Sequence, residues 1–149
     1  MAKAKSNAST FKMETSVSET INARPEKIMA LLSNAKEFTK WNSTVTSLDG
    51  TIKAGETIRL KSVLDAKRVF KLKITKLDSN GMVWEDGFAP LFKGVRTFTL
   101  APQTNGSTLF TMTEEFKGIL LPMIKGSLPD FKPNFEQYAA DLKKAAEQN

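Results

Sequence analysis

Two absences limit the chemistry open to this chain: it contains no histidine and no cysteine. That removes the usual general base at neutral pH, every Ser-His or Cys-His arrangement, disulfides, thiolate ligands and the commonest zinc ligand. Proton transfer is left to carboxylates, lysines, a single tyrosine and water. Glu114 and Glu115 are adjacent, and neighbours in a strand point to opposite faces, so they cannot flank one bond as an acid/base pair. Charged residues that alternate with apolar ones are more informative. Arg96 shares parity with Phe92, Phe98 and Leu100, Arg68 with Phe70 and Leu72, and Glu114 with Phe110, Met112 and Phe116. A strand turns each of these charges toward the core, where a charge needs a partner. Arginine suits planar oxygen groups, so Arg96 has two readings: an ion pair with Glu114, or an anchor for the carboxylate or carbonyl of an otherwise apolar ligand. The ion pair is expected, with a ligand able to compete for it. Glu19, on the face of Val17 and Ile21, belongs at a rim.

The elements that must position these residues follow from hydrophobic period. Phe11 to Ile21 alternates with period two and reads as a strand. Pro25 suits a first helical turn, Ile28, Leu31 and Leu32 repeat at helical spacing, and Asn34 can cap a second short helix carrying Phe38 and Trp41. Six strands follow: Val45 to Leu48, Thr57 to Ser62, Lys67 to Leu77, Met82 to Glu85, Phe92 to Leu100 and Thr108 to Phe116. Asn80-Gly81 is the strongest hairpin signal, and short links imply antiparallel pairing. Pairing across the Ala101–Gly106 loop is expected to put Arg96 near Met112, with Glu114 on the diagonal. Phe131, Phe135, Tyr138 and Leu142 then fall on one face of a long amphipathic helix, with Asp130 as its cap. Tyr138 lies on that apolar face, and its hydroxyl needs a partner when buried.

The chain has 149 residues, 40% apolar and 26% charged, the balance of one globular domain. Lys+Arg exceed Asp+Glu by 22 − 16 = 6, but the basic residues are spread along the sequence. Lys67 to Lys76 alternates basic and apolar residues, as a solvated sheet face does, without the exposed aromatics that nucleic-acid binding would add. Residues 1–10 are polar and read as a disordered tail rather than a secretory signal, leaving 11–149 as the domain. No run reaches the length of a membrane span, and a cytoplasmic location is expected. No phosphate loop or metal-spacing cluster is present, so neither cofactor nor metal is expected.

The segments INARPEKIMALL, FTKWNSTV, GVRTFTLAPQTNGSTLFTMTEEFKG and FEQYAADLKKAAE, in that order over Met13 to Glu147, resemble the START-like helix-grip superfamily (SRPBCC), in its polyketide cyclase/dehydrase and lipid-transport branch. Ser43 stands where that family often has proline. The resemblance implies an α+β helix-grip fold: a curved seven-stranded antiparallel sheet wrapped around the C-terminal helix, with two short helices between strands 1 and 2. It also implies a cavity between sheet and helix for hydrophobic ligands, and no shared catalytic set.

Strand parity assigns Arg68, Phe70, Leu72, Trp84, Phe92 and Arg96 to that cavity, with Phe98, Met112 and Glu114 from the last strands and Phe135 and Tyr138 from the helix. Gly94 leaves a gap among them. Many of these side chains are large, so the space can be partly closed. The expected role is a carrier or binding protein for a small apolar or amphipathic molecule, acting as a monomer or weak dimer. The alternatives are a polyketide cyclase/aromatase-like enzyme, in which arginine or tyrosine stabilises an enolate, and a stress-related or chaperone-interacting protein without a ligand.

Overall fold

The structure, a computed structural model, describes residues 2–148; Met1 and Asn149, expected in the tail and the domain respectively, lie outside it. The first strand, β1 (Lys5–Ala8), falls in the segment read from sequence as a disordered tail. Its four residues are all exposed and carry no apolar period, so composition could not reveal it. Backbone pairing to β2 (Lys12–Ile21) holds it, aided by Ser6 Oγ to Thr15 Oγ1 at 2.9 Å and by the Ala4 amide donating to Glu136 Oε2 at 2.9 Å. The sheet accordingly has eight strands rather than seven.

Two short helices follow, α1 (Pro25–Leu32) and α2 (Phe38–Trp41). Proline opens α1 as expected, but Glu37 rather than Asn34 precedes α2, and no side chain caps it. The remaining strands are β3 (Val45–Asp49), β4 (Thr57–Ser62), β5 (Asp65–Asp78), β6 (Gly81–Phe88), β7 (Phe92–Pro102) and β8 (Thr108–Lys117). Each pairs antiparallel with the next, and β2 closes beside β8, giving the order β1-β2-β8-β7-β6-β5-β4-β3. A short helix, α3 (Leu121–Ile124), and one 3-10 turn lead to α4 (Lys132–Ala146). Phe131 rather than Asp130 stands at the cap position of α4 and no side chain caps it, although Asp130 accepts from the Lys132 amide at 3.1 Å. Pro133 sits in the first turn, where its missing N–H costs nothing.

One face of α4 is buried against the sheet: Phe135, Tyr138, Ala139 and Leu142 are each fully buried and share a core with Val17, Ile74, Trp84, Phe98, Phe110 and Met112. The Tyr138 ring lies 6.2 Å from that of Phe98, which fixes the helix on the inward face of β7. Since Leu142 is 0% exposed, Leu142→Ala is expected to lower unfolding free energy by about 2–5 kcal/mol in urea denaturation. A loss near zero would place this helix face outside the core.

Candidate functional site

The inward faces of β7 and β8 carry the charged pair that parity pointed to, with a register shifted from the expected one. β7 runs two residues further toward the loop than expected, to Pro102, while β8 begins at Thr108 as expected, so Arg96 stands directly opposite Glu114 and Phe98 opposite Met112. Five residues separate the strands, where the expected ends Leu100 and Thr108 leave seven, and this accounts for the change. Arg96 Nε donates to Glu114 Oε1 at 2.9 Å, and the two side chains keep 17% and 12% exposure. The guanidinium lies 5.0 Å from the Phe135 ring centre and 5.8 Å from that of Tyr138, so α4 covers it with aromatic faces that favour a cation. Gly94 is not an empty gap: a Cβ there would come 3.0 Å from Phe116 Cε1 and 3.6 Å from Glu114 Oε2. Its lack of a side chain admits the Phe116 ring.

Burial raises the Glu114 carboxyl above the ordinary carboxylate range, and the nearby Asp86 adds to the rise, while Arg96 opposes it by charge and hydrogen bond. Burial likewise pushes the Tyr138 phenol well above its usual value, so it stays a neutral hydroxyl. The other expected residues divide. Trp84, Phe98 and Met112 are fully buried, with Trp84 and Phe98 rings 4.9 Å apart. Phe92 stacks on Phe116 at 5.5 Å, and Phe116 lies 5.5 Å from Phe131. Phe70 and Leu72 are half-buried at the margin of the core. Arg68 is exposed, with its guanidinium 4.6 Å over the Phe70 ring, and so does not join the buried group. Parity gave it the right side of the sheet, but Asp65–Val69 are exposed throughout because nothing covers that end of β5. Glu19 is half-buried and accepts from the Ala2 amide at 3.2 Å.

Trp41 and Asn42, read from sequence as structural wedges, stand beside this group. Trp41 meets Tyr138 edge-on at 5.9 Å, and Phe38 is 6.3 Å from the same ring. An aromatic pair at i, i+3 on a short helix was the available signal. Buried polar atoms without a hydrogen-bond partner among the described residues are Trp41 Nε1, Asn42 Nδ2, Trp84 Nε1, Asn134 Nδ2 and the Tyr138 hydroxyl. Space on the surface lies elsewhere: a groove of about 750 Å3 among Phe11, Lys12, Pro90, Lys93, Val95 and Ile119 contains none of the inward residues. No helix among the described residues is long and apolar enough to cross a membrane.

The pair is testable through pH. The folded-state value of Glu114 is raised, so the folded protein holds that proton more tightly than the unfolded chain, and stability falls as pH rises through the raised value. Arg96→Met removes the group that opposes the rise and makes the fall steeper. The variant is expected to be less stable than wild type by about 3 kcal/mol at pH 8 and by less at pH 5, with a second change, Glu114→Met, recovering part of the loss. Urea denaturation at the two pH values checks this; an equal deficit at both would mean that Glu114 is not the partner.

Comparison with known proteins places this geometry in a family. Sequence comparison with curated proteins finds no match. Among solved structures, truncated norcoclaurine synthase from Thalictrum flavum is similar with a TM-score of 0.71 at 13% identity, over 96% of this chain and 98% of that one. A START superfamily protein from Mycobacterium smegmatis is similar with a TM-score of 0.65 at 17% identity, over 91% and 97%. The di-domain ARO/CYC BexL of the BE-7585A biosynthetic pathway is similar with a TM-score of 0.72 at 11% identity; 95% of this chain matches 52% of it, so the chain spans about half of that protein. At such identities these likenesses establish the fold. Residues 11–147 match the family described as polyketide cyclase / dehydrase and lipid transport, and the chain belongs to that family.

Proposed function

We propose that this protein binds a small apolar or amphipathic molecule between the sheet and α4 in a helix-grip arrangement, with Arg96 as the anchor for an acidic headgroup. The observation that carries this reading is a partly accessible Arg96–Glu114 pair set into an otherwise aromatic interior. Structure alone needs no ion pair there, since apolar residues of similar volume serve a core as well or better. Trp84, Phe98, Phe135 and Tyr138 fill much of the interior, so a ligand enters by parting side chains where Arg96 and Glu114 keep contact with solvent. Membership of a family that includes lipid transport supports the same role.

The carboxylate of a ligand must compete with Glu114 for Arg96. At high pH Glu114 is ionised, occupies the guanidinium and repels the ligand; as pH falls through its raised value, it becomes neutral and releases Arg96. Decanoate is therefore expected to bind more tightly as pH is lowered from 8 toward the raised value of Glu114. Glu114→Gln should bind it about tenfold more tightly than wild type at pH 8 and lose the pH dependence, a difference worth roughly 1.4 kcal/mol. Isothermal calorimetry measures both. If neither decanoate nor a fluorescent apolar probe binds across that range, the carrier reading is wrong.

A second reading, a cyclase- or aromatase-like enzyme, is favoured by the raised Glu114 carboxyl, which holds a proton more readily than an ordinary carboxylate and could pass it to a substrate. The likeness to norcoclaurine synthase and to the ARO/CYC protein supports it at the level of fold. Incubation with a poly-β-keto thioester separates the two: a cyclised product formed by wild type and not by Glu114→Gln identifies an enzyme, and recovery of the unchanged thioester identifies a carrier.

A further inference from the structure

We propose that the interior holds a second polar anchor, separate from the Arg96–Glu114 pair: hydrogen-bond donors from Trp41, Asn42, Trp84 and Tyr138 that take an uncharged acceptor oxygen on the ligand, the carbonyl of a ketone, ester or lactone. The inference rests on the binding role proposed above. These residues come from three separate places in the chain, the end of α2, β6 and α4, and meet around Phe38. The Phe38 ring lies 4.9 Å from Trp41, 6.1 Å from Trp84 and 6.3 Å from Tyr138. Asn42 lowers the Tyr138 phenol as a hydrogen-bond donor does, without reaching the geometry of a formed bond, so it lies beside that hydroxyl. Trp84, Tyr138 and Asn42 are no more than 1% exposed, and Trp41 Nε1, Asn42 Nδ2, Trp84 Nε1 and the Tyr138 hydroxyl lack a partner among the described residues.

The chemistry of the set is one-sided. An indole N–H only donates. The Asn42 amide is oriented by its own contacts: Oδ1 accepts from the Thr44 amide at 3.0 Å and from Thr44 Oγ1 at 2.7 Å, so only Nδ2 is left, and it donates. The Tyr138 hydroxyl is neutral and carries its proton. Leaving buried donors without an acceptor destabilises a fold, so a grouping of four requires an explanation. A carbonyl oxygen supplies two lone pairs and no proton that itself needs an acceptor. A carboxylate fits less well, because it would shed its hydration among aromatic rings with no cation in the set; the Arg96 guanidinium stands 5.8 Å from the Tyr138 ring, nearer the other anchor.

The experiment compares octan-2-one, the isosteric alkene 2-methyloct-1-ene and octanoate by displacement of a fluorescent apolar probe, in wild type, Tyr138→Phe and Trp84→Phe. Wild type is expected to prefer the ketone over the alkene by about tenfold, and each variant to lose most of that preference. Tyr138→Phe should be at least as stable as wild type in urea, since it removes an unpartnered hydroxyl. In octan-2-one labelled with carbon-13 at the carbonyl, the infrared stretch should shift to lower frequency on binding wild type and shift less in each variant, a change that a purely structural role would not produce. Equal affinity for ketone and alkene in wild type would overturn the donor set while leaving the carrier reading in place. So would an unchanged ketone preference in both variants, or a Tyr138→Phe protein that is markedly less stable. Failure of all three probes to bind wild type would overturn both proposals.

Discussion

A guanidinium can lie under the aromatic face of α4 only because a carboxylate stands opposite it in the next strand. Arg96 and Glu114 are a directly paired couple in the β7–β8 ladder, and that register places Phe98 against Met112 and Gly94 against Phe116. A slip of one residue would turn every one of these side chains to the other face. A slip of two would keep the faces but move Glu114 from directly opposite Arg96 to the diagonal, lengthening the contact between the two charges. The pair therefore fixes register as well as charge. The aromatic residues of α4 pack against the surface that this register creates, and β2, joined to β8 along its full length, extends it to the first strands.

The fold was legible because each strand buries one face and shows it as a period of two. β4, β6, β7 and β8 keep that alternation, and α4 keeps a helical one, so their existence and their inward faces could be read from residue types. What escaped lacks such a signal. β1 is Lys-Ser-Asn-Ala, exposed on both faces and held by backbone bonds that no side chain announces. Arg68 has the parity of Phe70 and Leu72, but parity assigns a side of the sheet and not a cover for it, and β5 runs past its cover. The Arg96–Glu114 contact was foreseen, while its direct opposition depended on the length of one loop, to which apolar period is blind.

The polar atoms of the interior were harder still. Trp41 and Asn42 read as local fasteners, and Asn42 does bond Thr44 through Oδ1. Their nearness to Tyr138 is a tertiary fact: α2 precedes the helix it meets by almost 100 positions, across six strands. Donor capacity is likewise invisible until partners are assigned, because the sequence shows an asparagine and not which end of its amide is committed.

The direction of the Glu114 shift bears on why the pair exists. Were the ion pair chiefly a stabilising device, Arg96 would hold the carboxyl below its ordinary value, as Lys93 holds Glu85 on the outer face and as Lys12 and Lys117 hold Glu115 against the opposing effect of burial. At Glu114 burial outweighs Arg96, so the ionised form is less favourable in the folded protein than in the unfolded chain. The fold gives up stability at neutral pH to keep a charge where an apolar residue would serve packing better. The same interior keeps four donors without an acceptor, a second departure from what packing would choose, and Arg96 links the two, lying over Phe135 and within 5.8 Å of the Tyr138 ring. Two such departures fall in one region, within a sheet whose other pairings follow local rules, and departures of this kind are expected where function rather than packing sets the residues.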